Sequence, residues 1–170
     1  EASTQDVETY DVGGRLTQLR TRAGHAIDLF YAGDRLETVR DAFGRELIFS
    51  YGSNGLVSSV SAPSVGTYQY RYDARYNLTE VEQPNGAIRR YHYENATFGN
   101  ALTGISDELG VRYSTYGYDT YGSATLTQLA GGVNRYTIAQ VGGALRITDP
   151  RNFTTDQGFV NVQGVAKIAS

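Results

Sequence analysis

The groups in this sequence that could carry chemistry are two histidines, eighteen carboxylates and fourteen tyrosines. His25 and His92 have no matching neighbours that would make either a base or a ligand set. His92 alternates with Tyr91 and Tyr93, so it projects from the opposite face and reads as a satisfied surface side chain. Asp11, Asp73 and Asp119 recur in step with turns. A carboxylate repeated at turn after turn is structural, because an enzyme needs one site. The absence of Cys removes thiolate chemistry, disulfides and Cys-based zinc sites. Gly131-Gly132 and Gly142-Gly143 lack the strand-to-helix context and the Lys-Ser/Thr of a phosphate loop. Asp149-Pro150 reads as turn punctuation. The expectation is no catalytic residue, no metal and no cofactor.

Binding chemistry rests on the tyrosines and arginines. Tyr70, Tyr91, Tyr116 and Tyr136 fall by spacing in one column with Leu29 and Phe49. Tyr31, Tyr51, Tyr72, Tyr93 and Tyr118 fall in the next. Same-face ring contacts of this kind contribute roughly 0.2–1 kcal/mol each. Alternatively, the flat faces and polar tips of Tyr70, Tyr91, Tyr116 and Tyr136 form a ligand face for carbohydrate or a cargo chain. Fourteen Arg against one Lys favours planar stacking and bidentate pairing. The net charge of −3 and the scattered cations argue against nucleic acid. No run of 18 apolar residues predicts a membrane-spanning helix. The chain opens at Glu1 without Met, as a fragment or processed piece would.

A repeat positions these residues. Tyr10, Tyr31, Tyr51, Tyr72, Tyr93 and Tyr118 close alternating apolar runs at steps of 21, 20, 21, 21 and 25. Ile138 and Phe159 continue the register. Gly24, Gly44, Gly66, Gly86, Gly110 and Gly132 keep a second register half a repeat away. The long step contains a small insertion, Asn95 to Asn100. Each unit holds two strands and two turns. Ile27, Leu29 and Tyr31 share one face, as do Leu47, Phe49 and Tyr51, then Tyr68, Tyr70 and Tyr72. Asp-x-x-Gly turns follow the closing aromatics, with Asp bonding backbone ahead of it and Gly accepting positive φ. In the short strands after them, such as Leu16 to Leu19, apolar residues sit three apart, which predicts a bulge.

The expected fold is all-β, an antiparallel meander of about fifteen strands over residues 1–170. Repeats are clear in 7–122 and divergent in 123–170. Fifteen strands at ~4.8 Å would span roughly 70 Å, so the sheet is expected to coil into a spiral with the tyrosine face inward. A propeller, with four-stranded blades every two repeats, is the alternative. The polar stretch Glu1 to Asp6 would blunt one sheet edge. Val160 to Ile168 would protect the other poorly, which predicts self-association through sheet edges.

The phrase Tyr10-Asp11-Val12-Gly13-Gly14-Arg15-Leu16-Thr17 resembles the YD repeat of the Rhs family, Y-D-x-x-G-R-L-T. Further copies are Tyr72-Asp73-Ala74-Arg75-Tyr76-Asn77-Leu78-Thr79 and Tyr118-Asp119-Thr120-Tyr121-Gly122. Tyr31-Ala32-Gly33-Asp34-Arg35-Leu36 is one residue short. The resemblance implies structural signature residues at Tyr10, Asp11, Gly14, Arg15, Leu16, Tyr31, Tyr51, Tyr72, Asp73, Tyr93, Tyr118, Asp119 and Gly122. It implies a non-enzymatic piece of a hollow shell that encloses a toxin domain in bacterial Rhs and Tc-type toxins, or sits in adhesion receptors of teneurin type. The implied partners are further YD repeats and an enclosed toxin domain, and the implied location is secreted or cell-surface. The family's self-cleavage motif, D-P-x-G, is not matched by Asp149-Pro150-Arg151-Asn152.

Overall fold

The computed structural model describes residues 6–169. Residues 1–5, which carry most of the polar stretch expected to blunt one edge, lie outside the described residues. Fifteen strands follow one another in a single antiparallel meander: β1 (Val7–Tyr10), β2 (Leu16–Arg20), β3 (Ala26–Ala32), β4 (Arg35–Asp41), β5 (Glu46–Tyr51), β6 (Val57–Ala62), β7 (Gly66–Tyr72), β8 (Leu78–Glu82), β9 (Ile88–His92), β10 (Gly104–Ser106), β11 (Arg112–Tyr118), β12 (Ala124–Leu129), β13 (Tyr136–Val141), β14 (Ala144–Thr148) and β15 (Thr154–Gln157). The sheet is continuous and is not divided into four-stranded blades. The divergent final residues form their own hairpin, β16 (Phe159–Val162) with β17 (Val165–Ile168). Val160 to Ile168 is therefore a paired ribbon, and β15 is the terminal strand of the main sheet.

Contacts divide the chain into two compact units. One runs through Arg71 and includes Val81–Ala87; the other comprises Tyr72–Glu80 and the chain from Ile88 onward. In the first unit Leu29 stands opposite Val39, which stands opposite Leu47. Phe49 likewise aligns with Val60 and Tyr68. In the second unit Tyr91 aligns with Ile105 and Ser114. The columns expected from spacing are thus diagonals: Leu29 faces Leu47 and not Phe49, and Tyr91 faces Ser114 and not Tyr116. Pairing slips by two residues per repeat. An even slip keeps each side chain on its face, whereas a slip of one would turn the apolar set to the other side.

The three-residue spacing in the short strands reflects a bulge. Thr9 pairs with Gln18 but Tyr10 pairs with Leu16, leaving Thr17 extra. Glu37, Ser58 and Thr125 are the extra residues opposite Tyr31, Tyr51 and Tyr118. Among the described residues no hydrophobic side chain is buried, and the buried positions are Asn77, Gly104, Ser106 and Ser114. A sheet face without a second layer shields its side chains only by same-face neighbours, so Tyr68, Tyr70 and Tyr72 are half-buried while Thr67, Gln69 and Arg71 are exposed.

Candidate functional site

The recurring chemical unit is the Asp turn. Asp11 N–H donates to the Arg15 carbonyl at 2.9 Å, and Gly14 N–H returns to the Asp11 carbonyl at 3.0 Å. Gly14 closes the three-residue loop at φ +80°. Asp11 Oδ1 accepts from the N–H groups of Gly13 and Arg15 at 2.8 and 3.0 Å, and Oδ2 accepts from Arg15 Nε at 2.7 Å. The Arg15 N–H is the largest cause that holds the Asp11 carboxyl below the usual range, followed by its guanidinium. Asp41, Asp107, Asp119 and Asp149 repeat the arrangement with the N–H groups two and four residues ahead. In the Asp73 turn, Tyr76 takes the left-handed position at φ +65°, and Asn77 replaces Arg. Asp149-Pro150 opens the same kind of turn, with Asn152 left-handed at φ +64°.

The signature tyrosines reach back to the repeat before, and the residue that closes the turn reaches forward to the next. The Tyr31 phenol donates to the Leu16 carbonyl at 2.9 Å, Tyr51 to Leu36 at 2.8 Å, and Tyr118 to Leu102 at 2.8 Å. Arg15 lies over the Tyr31 ring at 5.1 Å and donates to the Gly33 carbonyl. Asn77 plays the corresponding part by donating to the Gly99 carbonyl at 2.9 Å. Each letter of the motif therefore has a physical role. At Tyr31, Tyr51 and Tyr118 the phenol ties back to the previous Leu carbonyl, Asp closes the turn, Gly14 and Gly122 supply its left-handed residue, and Arg15 and Arg35 lie over the following ring. Tyr10, 54% exposed, has no earlier strand to meet among the described residues, and its phenol turns to Glu8. Tyr93 is half-buried, and desolvation pushes its phenol up.

Of the tyrosines expected to form a ligand face, Tyr116 and Tyr136 share one cross-strand row, separated by Thr127 on the strand between them. Tyr91 sits in the row of Ile105 and Ser114, and Tyr70 belongs to the first unit.

The insertion builds a cluster that sequence reading missed. His92 Nε2 lies 2.8 Å from Ser106 Oγ, and His92 Nδ1 lies 4.0 Å from Glu94 Oε1. Glu94 accepts from Arg112 at 2.9 and 3.0 Å and from the Thr103 hydroxyl at 3.0 Å. The Arg112 guanidinium holds the Glu94 carboxyl below its ordinary range. Arg112 also donates to the Thr103 carbonyl at 2.6 Å, over Gly104, where a Cβ would collide with its guanidinium. The short contacts of Glu94 go to Arg112 and Thr103, with the imidazole farther off at 4.0 Å, so the cluster ties the two ends of the loop together. The 25-residue step was the one signal of it. His25 is exposed, its ring 5.9 Å from that of Phe43. Among the described residues no group of three or more His, Asp or Glu side chains is placed to hold a metal ion, and no helix is long and apolar enough to cross a membrane.

Two grooves open in the first unit. One of about 530 Å³ is lined by Ile27, Val39, Leu47 and Pro63 on the apolar face. The other, about 450 Å³, is lined by Arg35, Glu37, Phe49 and Tyr51.

No family model and no curated protein matches the chain. Solved structures that resemble it include TcdB2-TccC3 with Cdc42, at 13% identity and a TM-score of 0.44 over 91% of this chain and 13% of that one. TcdB2-TccC3 matches at 12% identity and TM-score 0.45, covering 94% of this chain and 13% of the other. The Photorhabdus luminescens Tc holotoxin pore matches at 13% and 0.45, covering 96% and 13%. The chain spans about an eighth of the length of the solved chains it resembles.

Proposed function

We propose that the chain is a non-enzymatic structural segment, a run of YD-type repeats in the wall of a larger exported bacterial shell that encloses a cargo chain such as a toxin domain. The observation that carries this reading is the interlock of successive repeats through Tyr31–Leu16, Tyr51–Leu36 and Tyr118–Leu102. Such bonds make each repeat the support of the next, which suits a wall built by extension and not a compact body around one site. The half-exposed apolar face supplies a lining that an enclosed chain could contact. Every signature carboxylate is committed to a turn, which leaves none of them available as an acid or base.

The test is limited proteolysis of the natural polypeptide that carries these residues, with and without Tyr31→Phe, Tyr51→Phe and Tyr118→Phe together. The wall reading expects a segment outside residues 1–170 to be protected in the parent and cleaved faster in the variant. Equal cleavage of every outside segment in both would contradict it.

A further inference from the structure

The connection from β12 to β13 departs from the aspartate turns in one respect. Leu129 N–H donates to the Val133 carbonyl at 2.8 Å, as Asp11 N–H does to that of Arg15. Leu129 thus stands in the aspartate's place, and this turn has no carboxylate of its own. In the turns opened by Asp11, Asp41 and Asp149 that carboxylate holds an arginine at 2.7, 2.5 and 3.0 Å. Arg135, two residues past the turn, is exposed and makes no hydrogen bond or ion pair among the described residues.

Thr137 stands opposite Thr148, so this loop and the turn from β14 to β15 lie at one end of the same strand pair. A cavity of about 200 Å³ there is lined by Gly132 and Arg135 from the loop, Asp149 and Asn152 from the turn, and Thr137 and Thr148 from the pair. The two threonine hydroxyls and the Asn152 amide also have no hydrogen-bond partner among the described residues. Asp149 is committed: Oδ1 accepts from the N–H groups of Arg151 and Phe153, and Oδ2 from the Arg151 guanidinium. The unmatched charge in the cavity is therefore positive. A guanidinium only donates hydrogen bonds, and its fork matches two oxygens of an oxyanion. The hydroxyls and the amide have donors for further oxygens, which a phosphate has and a carboxylate lacks. The volume lies below the ~300 Å³ at which sites for drug-sized ligands begin. We infer that this cavity is a binding site for a phosphate group, free or as the monoester of a small alcohol, held by Arg135 with Thr137, Thr148 and Asn152. The site stands independently of the wall reading.

The test is equilibrium dialysis of the natural polypeptide that carries these residues against inorganic phosphate, glycerol phosphate and acetate, at constant ionic strength. At least one of the two phosphates should bind saturably, and the one that binds identifies the source. Arg135→Gln should weaken that binding at least tenfold, the scale of one charge-assisted hydrogen bond. Arg135 is exposed and holds nothing in place, so this variant should keep the fold. Arg22→Gln, which removes an exposed arginine of the first unit, should leave binding unchanged. Absence of saturable phosphate binding, equal affinity in Arg135→Gln, an equal loss in Arg22→Gln, or acetate bound as tightly as phosphate would each overturn the assignment.

Discussion

The Tyr51 phenol donates a hydrogen bond of 2.8 Å to the carbonyl of Leu36, fifteen residues earlier. It joins the end of β5 to the start of β4, its neighbour in a sheet with no buried hydrophobic core among the described residues. Tyr51→Phe removes the hydroxyl and keeps the ring. It should lower stability by about 1 kcal/mol, the net worth of a part-buried hydrogen bond. Tyr10→Phe, whose phenol reaches only Glu8, should leave the urea midpoint unchanged. Equal shifts in the two variants would show that the phenols do not couple repeats.

Tyr76 occupies a left-handed position with its side chain 63% exposed. A Cβ there is strained, and little packing is lost on removing the ring. Tyr76→Gly should stabilise the chain by about 0.5–1 kcal/mol. Gly86, at φ +81°, should show the converse, Gly86→Val costing more than ~1 kcal/mol. Chemical denaturation of both variants checks the pair. A destabilised Tyr76→Gly would contradict the strain argument.

Acid should weaken the fold. The Asp11 carboxyl is lowered chiefly by the Arg15 N–H, that of Asp73 by the Asn77 amide and that of Glu94 by the Arg112 guanidinium. At Asp41 and Asp149 desolvation acts upward but is outweighed by the hydrogen bonds of the turn. A carboxyl with a lowered folded pKa contributes stability that is complete above its unfolded value, near ~4. That stability is lost as pH falls through the folded value. The urea midpoint should be flat from neutral pH to about 5 and decline progressively below about 4. A midpoint that held or rose on acidification would be the opposite sign.

Gly104 lies beneath the Arg112 guanidinium. Gly104→Ala should displace that group and release Glu94 from it. Hydrogen exchange at the Glu94 amide, which donates to Thr103 Oγ1 at 3.1 Å, should quicken while exchange in β13 and β14 is unaltered. Unchanged protection at Glu94 would mean that Arg112 does not close the loop.

The period, the Asp turns and the bulges were legible because each is local. A tyrosine every twenty-odd residues, an Asp opening a turn and a parity break in Leu16 to Leu19 are all written within a few residues. The two-residue slip was not legible, since it depends on which residues of neighbouring strands pair, and the sequence spacing of Leu29 and Phe49 is silent on that. The phenol bond of Tyr31 to Leu16 and the stack of Arg15 on Tyr31 were hidden for the same reason. So was the pairing of Val160 to Ile168 as a separate hairpin. The freedom of Arg135 could have been read from Leu129 in the aspartate's place, once Asp11 was known to hold Arg15.

Repeats are held by their neighbours and not by a common core. Native-state hydrogen exchange along the chain, compared between wild type and Tyr51→Phe, distinguishes the two. Neighbour coupling predicts faster exchange confined to β3 through β6, with β12 through β14 unaltered. Uniform loss of protection from β1 to β15 would mean one cooperative body and no such coupling.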